Sequence, residues 1–103
     1  MRFIQTDRSI TLTNGNCIVL VVDPASPPTT PITITLPHSA VSTGETVEVG
    51  NAGSTPCQVL PATGDLVMKD ADGISLANRQ SMRCVAGARN NNFGWYVLSI
   101  NSV

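Results

Sequence analysis

Short runs of Val, Ile and Thr recur along the chain at intervals of about 8–12 residues, with turn residues between them. The clearest run is ITITL at residues 32–36, in which apolar and polar side chains alternate between Pro31 and Pro37. Strict alternation is typical of a strand with one buried face, and a proline at each end limits how far the strand can extend. This pattern constrains the chain more than any other feature, and it predicts an all-β fold.

A single small domain fits the length of 103 residues. The Asn-Gly-Asn sequence at residues 14–16 suits a tight connection, because Asn and Gly tolerate positive φ. The best helix candidate, residues 74–85, has irregular apolar spacing and is disfavoured. We therefore predict a sandwich or barrel of about eight short antiparallel strands at residues 9–103, preceded by an N-terminal arm at residues 1–8. The predicted strands are residues 9–13, 17–22, 32–36, 46–49, 57–60, 66–68, 81–85 and 94–100.

Two of these segments are apolar on both faces. In CIVLVV at residues 17–22, Ile18, Leu20 and Val22 lie opposite an equally apolar face, and the strand at residues 94–100 has the same property. In a small antiparallel domain, the simplest cover for a second apolar face is another subunit. The sequence therefore predicts a homo-oligomer. The candidate subunit or partner contacts are Phe3, Ile4, Ile18, Leu20, Val22, Tyr96 and Leu98.

The composition disfavours several classes of protein. Charged residues make up 13% of the chain and the net charge is −1, so the basic surplus of a nucleic-acid-binding protein is missing. The longest apolar run, residues 17–22, is far shorter than the ~20 residues that span a bilayer. Cys17, Cys57 and Cys84 are odd in number and widely spaced, which favours buried free thiols. An intersubunit disulfide is the alternative.

The sequence holds no clear catalytic pattern. Its one histidine, His38, lies in a turn beside Ser39 and Ser42, but a Ser–His pair also needs an orienting group and an oxyanion hole, and the sequence suggests neither. Glu45 and Glu48 are an odd number of residues apart, so on one strand they face opposite sides and do not converge as glycosidase carboxylates do. The glycines form no phosphate-binding pattern. We therefore predict no enzymatic activity and no catalytic, cofactor-binding or metal-binding residues.

The strand segments follow one another in a distinctive order. CIVLVVD at residues 17–23 leads through a proline-rich loop to ITITLP at residues 32–37. GETVEVGNAG follows at residues 44–53, and the last strand begins with GWYVL at residues 94–98. This order, over roughly residues 9–99, resembles a β-rich module of tailed-bacteriophage virion proteins, a group that includes capsid decoration proteins, tail fibres and tailspikes.

The resemblance implies a homotrimeric, non-enzymatic structural protein of the virion. Because the module makes up the whole of this chain, we expect a capsid decoration (cement) protein, which would bind the outer capsid surface and hold neighbouring capsomers together. The implied partners are further copies of the chain and the phage major capsid protein, with no nucleic acid and no membrane. The implied location is the virion, after synthesis in the bacterial host cytoplasm.

Two questions stay open at this point. In the arm, Phe3 and Ile4 lie between charged residues and are expected to pair with a strand edge of the capsid or of a neighbouring trimer; a frayed terminus is the alternative. The alternative function is a tail-fibre or receptor-binding module that recognises a host surface glycan. That function predicts an exposed aromatic ring, such as Trp95 or Tyr96, beside polar residues. A cellular β-sandwich of other function is the remaining possibility.

Overall fold

The structure, a computed structural model, describes residues 1–25, 31–67, 73–89 and 92–102. It is all-β, as predicted, and its strands form two sheets. Each predicted strand overlaps an observed one, although Met68, at the end of one prediction, lies outside the described residues. The strands are β1 (Arg2–Thr6), β2 (Ile10–Thr11), β3 (Cys17–Val21), β4 (Ile32–Thr35), β5 (Thr46–Asn51), β6 (Cys57–Leu60), β7 (Leu66–Val67), β8 (Ile74–Leu76), β9 (Gln80–Arg89) and β10 (Asn92–Ser102), with a 3-10 turn at Ser39–Val41.

The chain passes back and forth between the two sheets. One sheet has the strand order β1-β3-β5-β9-β10-β7 and the other has the order β2-β4-β6-β8. From β1 to β6 the odd-numbered strands enter the first sheet and the even-numbered strands enter the second. Successive strands of one sheet, such as β1 and β3, are therefore joined by a crossover through the other sheet. The two strands of each such pair are parallel. A long antiparallel hairpin, β9–β10, then extends the six-stranded sheet from β5.

The prediction that the strands are antiparallel is wrong for most of the strand pairings. Among the described residues, five of the eight strand pairings are parallel. Side-chain alternation has the same period in both kinds of pairing, so it carries no information about strand direction. The predicted turn at residues 14–16 does form, with Asn16 at φ 55°, but it leads from β2 in one sheet to β3 in the other.

The segment that we expected to be an arm includes strand β1. All five residues of β1 pair in parallel with β3 of the same chain, and the pairing is extended by hydrogen bonds from Arg2 N–H to the Asn16 carbonyl and from Val22 N–H to the Thr6 carbonyl. Residues 2–6 thus belong to the β-domain in this structure and form an edge strand of its larger sheet.

The core lies between the sheets and is filled by the apolar side chains that the alternation predicted. In β4, Ile32 and Ile34 are buried while Thr33 and Thr35 are half-buried. The other fully buried residues are mostly Val, Leu and Met, and each such side chain stabilises the fold by about 1.5–3 kcal/mol. Trp95 of β10 is the largest fully buried side chain, and it joins this core from the six-stranded sheet.

A buried amide ties the two sheets together. Asn51, the last residue of β5, donates from Nδ2 to the Thr55 carbonyl at 2.9 Å and to the Leu76 carbonyl at 3.0 Å. Its Oδ1 accepts the Gly53 N–H at 2.9 Å. Because Leu76 belongs to β8 in the other sheet, these bonds fix the turn after β5 against the opposite layer. These three hydrogen bonds satisfy the polar atoms of the Asn51 side chain, which is buried.

Candidate interaction surface

The six-stranded sheet has one buried face and one face that is half-buried or exposed. In β3, Cys17, Val19 and Val21 are buried against the core, whereas Ile18 and Leu20 point the other way and are half-buried. Residues directly opposite each other on paired strands share a face, so the register identifies their neighbours. We call this surface the outer face; it is formed by Phe3, Ile18, Leu20, Thr46, Glu48, Arg83, Val85 and Tyr96.

The register brings residues from four strands into one row across the outer face. Phe3 of β1 lies opposite Ile18 of β3, and Ile18 lies opposite Glu48 of β5. Glu48 in turn lies opposite Arg83 of β9. Neither Glu48 nor Arg83 forms an ion pair within the described part of the chain, so both charges are available to a partner. The row therefore combines an apolar half with one acid and one base.

A second apolar area lies further along the same face. Tyr96 of β10 is opposite Val85 of β9, and both side chains are half-buried. A Cβ added to Gly87 would lie 3.5 Å from the Tyr96 ring, which is ordinary van der Waals contact, so the ring lies close over β9 at this position. Trp95 points to the opposite side, and its indole Nε1–H donates to the buried Pro37 carbonyl at 2.8 Å. Trp95 is thus a core residue and not the exposed ring that the glycan alternative predicts.

A β-bulge in β10 changes the face of the sheet on which the following side chains lie. The pairing with β9 shifts between Val97 and Ser99, so that Leu98 has no direct partner and Ile100 lies opposite the buried Met82. We expected simple alternation through residues 94–100, which would place Tyr96 and Ile100 on one face. The extra residue of the bulge interrupts that alternation, and the sequence contained no signal for it.

The seven predicted contact residues fall into three groups. Phe3, Ile18, Leu20 and Tyr96 belong to the outer face, and Leu98 is exposed at the bulge. Ile4 differs from the prediction, because it alternates with Phe3 and packs against the core. Val22 is half-buried just after β3 and is held there by its N–H bond to the Thr6 carbonyl. The sequence did not single out Glu48, Arg83 or Val85, since only strand register brings them to this face.

The structure brings a carboxylate to His38 that the sequence did not reveal. Asp65 is buried, its Oδ2 accepts the Ser39 N–H at 2.7 Å, and His38 Nδ1 lies 3.9 Å from the same oxygen. The Ser39 and Ser42 hydroxyls are buried without a hydrogen-bond partner among the described residues. A serine nucleophile must bond to the imidazole that activates it. Asp65 therefore acts here on the backbone, where it holds the start of the 3-10 turn.

A shallow groove of about 360 Å³ lies beside His38, where β2, β4 and β6 end. The carboxyl ends of parallel strands meet at the same edge of a sheet, which explains why three connections converge there. Four threonines and several apolar residues line the groove, and none of the threonine hydroxyls bonds to another described side chain or backbone group. Its lining is Thr11, Leu12, Thr13, Thr35, Leu36, Pro37, His38, Ala62 and Thr63.

All three cysteines are buried free thiols, as expected. Burial raises the pKa of Cys57 to about 11 and that of Cys84 to about 12, and it also raises the pKa of Cys17. The Cys84 thiol donates to the Val47 carbonyl at 3.5 Å. Buried, protonated thiols are poor nucleophiles, and an intersubunit disulfide would require the core to open.

The described residues contain no group of three or more His, Cys, Asp or Glu side chains placed to hold a metal ion. They also form no helix that is long and apolar enough to cross a membrane. No family model matches the chain, and neither the curated proteins nor the solved structures gave a significant match.

Proposed function

We propose that the protein is a capsid decoration (cement) protein, a structural component of a bacteriophage virion. It binds the outside of the head as a homotrimer and stabilises contacts between capsomers. Its partners are its own copies and the phage major capsid protein. It is made in the bacterial host cytoplasm, is located on the outer capsid surface in the virion, and catalyses no reaction.

The observation that carries this proposal is the outer face of the six-stranded sheet. Ile18, Leu20, Val85 and Tyr96 leave apolar area only half-buried there, and Phe3 extends the face at the β1 edge. A partner that covered this area would gain about 25 cal/mol for each Å² of apolar surface removed from water. The low charge of the chain supports the same proposal, because the buried centres of protein interfaces are depleted in charged residues.

The proposed mechanism is surface burial repeated over identical contacts. Each chain of a trimer offers the same face, and linked weak contacts can raise binding by a factor of about 10²–10⁴ over one contact alone. Glu48 and Arg83, which have no ion-pair partner among the described residues, supply polar groups that fix the register of the partner. No bond is made or broken in this mechanism.

The test is a binding experiment with purified protein, expanded phage heads and whole host cells. Saturable co-sedimentation with heads is expected, together with at least tenfold weaker binding by a Leu20→Lys variant, which places a charge on the apolar part of the outer face. Ser75→Lys is the matched control, because Ser75 is exposed on β8 of the other sheet. Absence of binding to heads, or equal loss in both variants, would contradict the proposal.

The alternative function, a tail-fibre or receptor-binding module for a host glycan, has one observation in its favour. The groove beside His38 presents unpaired threonine hydroxyls, and its volume falls within the range of small-ligand sites. Neutral hydroxyl groups beside apolar residues suit a sugar ring better than a charged ligand. The burial of Trp95 leaves Tyr96, which is half-buried on the outer face and away from the groove, as the other aromatic ring that this function was expected to use.

The same binding experiment separates the two functions. Binding to host cells but not to heads, with loss of cell binding in a Thr11→Val/Thr35→Val double variant, would favour the glycan module. These substitutions remove two groove hydroxyls with little change in side-chain volume. If the double variant binds heads as well as the unchanged protein does, the groove plays no part in decoration.

A further inference from the structure

Exposed large apolar side chains lie on strands at or near the two edges of one sheet. Phe3 of β1 is 64% exposed, Leu98 of β10 is 56% exposed and Ile100 of β10 is 46% exposed. The other two such residues within the described ranges are Met1, which precedes β1, and Phe93 of β10. Strand β1 is one edge of the six-stranded sheet, and β10 is separated from the other edge only by the two-residue strand β7.

Strand β1 has an open side with hydrogen-bonding groups. Arg2 N–H donates to the Asn16 carbonyl and the Thr6 carbonyl accepts from Val22 N–H, so the backbone groups of Arg2 and Thr6 point toward β3. Because successive residues of a strand point their backbone groups to alternate sides, those of Phe3 and Gln5 point away from β3. Natural edge strands are usually protected by proline, inward charge or a covering segment. Phe3 and Gln5 carry none of these features.

Strand β10 has a matching open stretch. It is 11 residues long, but its partner β7 pairs only with Gly94 and Trp95. No other described strand lies on that side of β10, which leaves residues 96–102 without a strand partner there within the described ranges; the exposed Leu98 and Ile100 lie in its last part, residues 98–102. The sequence NFGWYVLSINS of β10 carries no charge. A long uncharged edge with exposed apolar side chains is a site for pairing with another strand.

The two open stretches agree in direction, and the stretch on β10 is long enough to pair with β1. Within the described ranges, residues 96–102 of β10 have no strand partner on the β7 side, and strand β1 contains five residues. Strand β10 also runs in the same direction as β1, since β1, β3 and β5 are parallel and two antiparallel pairings connect β5 to β10. Rotation about an axis along the strands preserves this direction, so β1 of a second copy would meet β10 in parallel, as β7 already does.

We propose that the partner of these edges is a second copy of this chain: β1 of one copy pairs in parallel with residues 98–102 of β10 in the next. The contact joins two different surfaces, and such heterologous contacts produce a closed ring when the rotation closes. That the ring contains three copies rests on the proposed function. The pairing itself rests only on the edges.

The experiment uses two full-length variants, each with one blocked edge. Phe3→Lys blocks the β1 edge, and Leu98→Lys/Ile100→Lys blocks the β10 stretch, because lysine on an edge strand opposes pairing. By sedimentation equilibrium at micromolar concentration, each variant alone is expected to have the mass of one 10.8-kDa chain. An equimolar mixture is expected to form two-chain complexes, because each variant keeps one intact and complementary edge.

Several results would overturn the pairing. If the mixture stays at one chain, or if either variant alone stays oligomeric, these edges do not join the copies. A dimer formed by the β10 variant alone would indicate symmetric contact between two β1 strands. Far-UV circular dichroism confirms the fold of each variant. If Phe3→Lys does not fold, Gln5→Pro replaces it, since it removes a backbone donor that faces away from β3.

The outcome is distinct from that of the head-binding test. If the variants give the expected masses but the unchanged protein fails to bind heads, the edge pairing stands and the decoration role is refuted. A Ser75→Lys variant, with its charge on an edge strand of the other sheet, serves as the control and is expected to keep the mass of the unchanged protein.

Discussion

Replacement of Trp95 by phenylalanine tests whether this ring is a structural residue or a binding platform. Trp95 is fully buried and donates to the Pro37 carbonyl, which is also buried. Phenylalanine cannot donate, so the substitution leaves that carbonyl without its partner, at a cost of about 1–3 kcal/mol. The smaller ring also leaves a cavity. We expect Trp95→Phe to lower the free energy of unfolding by about 2–4 kcal/mol in total.

The assay is urea unfolding followed by far-UV circular dichroism. The midpoint is expected to fall while the slope m stays constant, because the surface exposed on unfolding hardly changes. Phe93→Ala, an exposed position on the same strand, is the control and should cost less than about 1 kcal/mol. The chain's single tryptophan allows an independent check, since iodide should quench its fluorescence only after unfolding. A loss below about 1 kcal/mol in Trp95→Phe, or strong quenching of the folded protein, would refute this role.

Three further predictions concern stability. Asp65→Ala removes the acceptor of the Ser39 N–H and should cost about 1–3 kcal/mol in chemical unfolding, whereas Asp65→Asn keeps an acceptor and should cost less. Because burial raises the pKa of Cys57 from 9.0 to about 11, this thiol should lower the free energy of unfolding by about 1.4 kcal/mol per pH unit between pH ~9 and pH ~11. The raised pKa values of Cys17 and Cys84 add to the fall, so a Cys57→Ala variant should show a shallower fall, and an equally steep one would contradict this assignment. Gly94→Ala places a Cβ 2.5 Å from the Leu66 carbonyl oxygen. This clash should lower the free energy of unfolding by about 1–3 kcal/mol and speed amide exchange in β7, which pairs with Gly94. An unchanged thermal midpoint would refute this prediction.

Local sequence features were sufficient to predict eight of the ten described strands; β1 and β8 were not predicted. In β4 the threonines alternate with buried isoleucines, and in β3 every second residue is buried, as the apolar pattern predicts. The turn at residues 14–16 was also predicted, and Asn16 adopts positive φ there. These features depend on single residues and their immediate neighbours, which is why one sequence is enough to recognise them.

Strand direction and pairing could not be predicted in the same way. A strand that returns through the other sheet has the same alternation as a strand in a hairpin. The segment at residues 1–8 was expected to be an arm, yet strand β1 within it pairs with β3. The bulge in β10 depends on its pairing with β9, which the β10 sequence alone does not specify.

The candidate surface was predictable only in part. Ile18 and Leu20 were identified because β3 is apolar on both faces. Glu48 and Arg83 meet only through the register of β5 with β9, which are distant in sequence. The contact between Asp65 and the start of the 3-10 turn likewise joins segments that no local pattern connects.

The mass of the purified protein in solution tests the central claim most directly, because a structural protein that acts through its surfaces should associate with itself. Sedimentation equilibrium at micromolar concentration is predicted to give the mass of three chains of 10.8 kDa each. A mass equal to one chain under the same conditions would contradict the account.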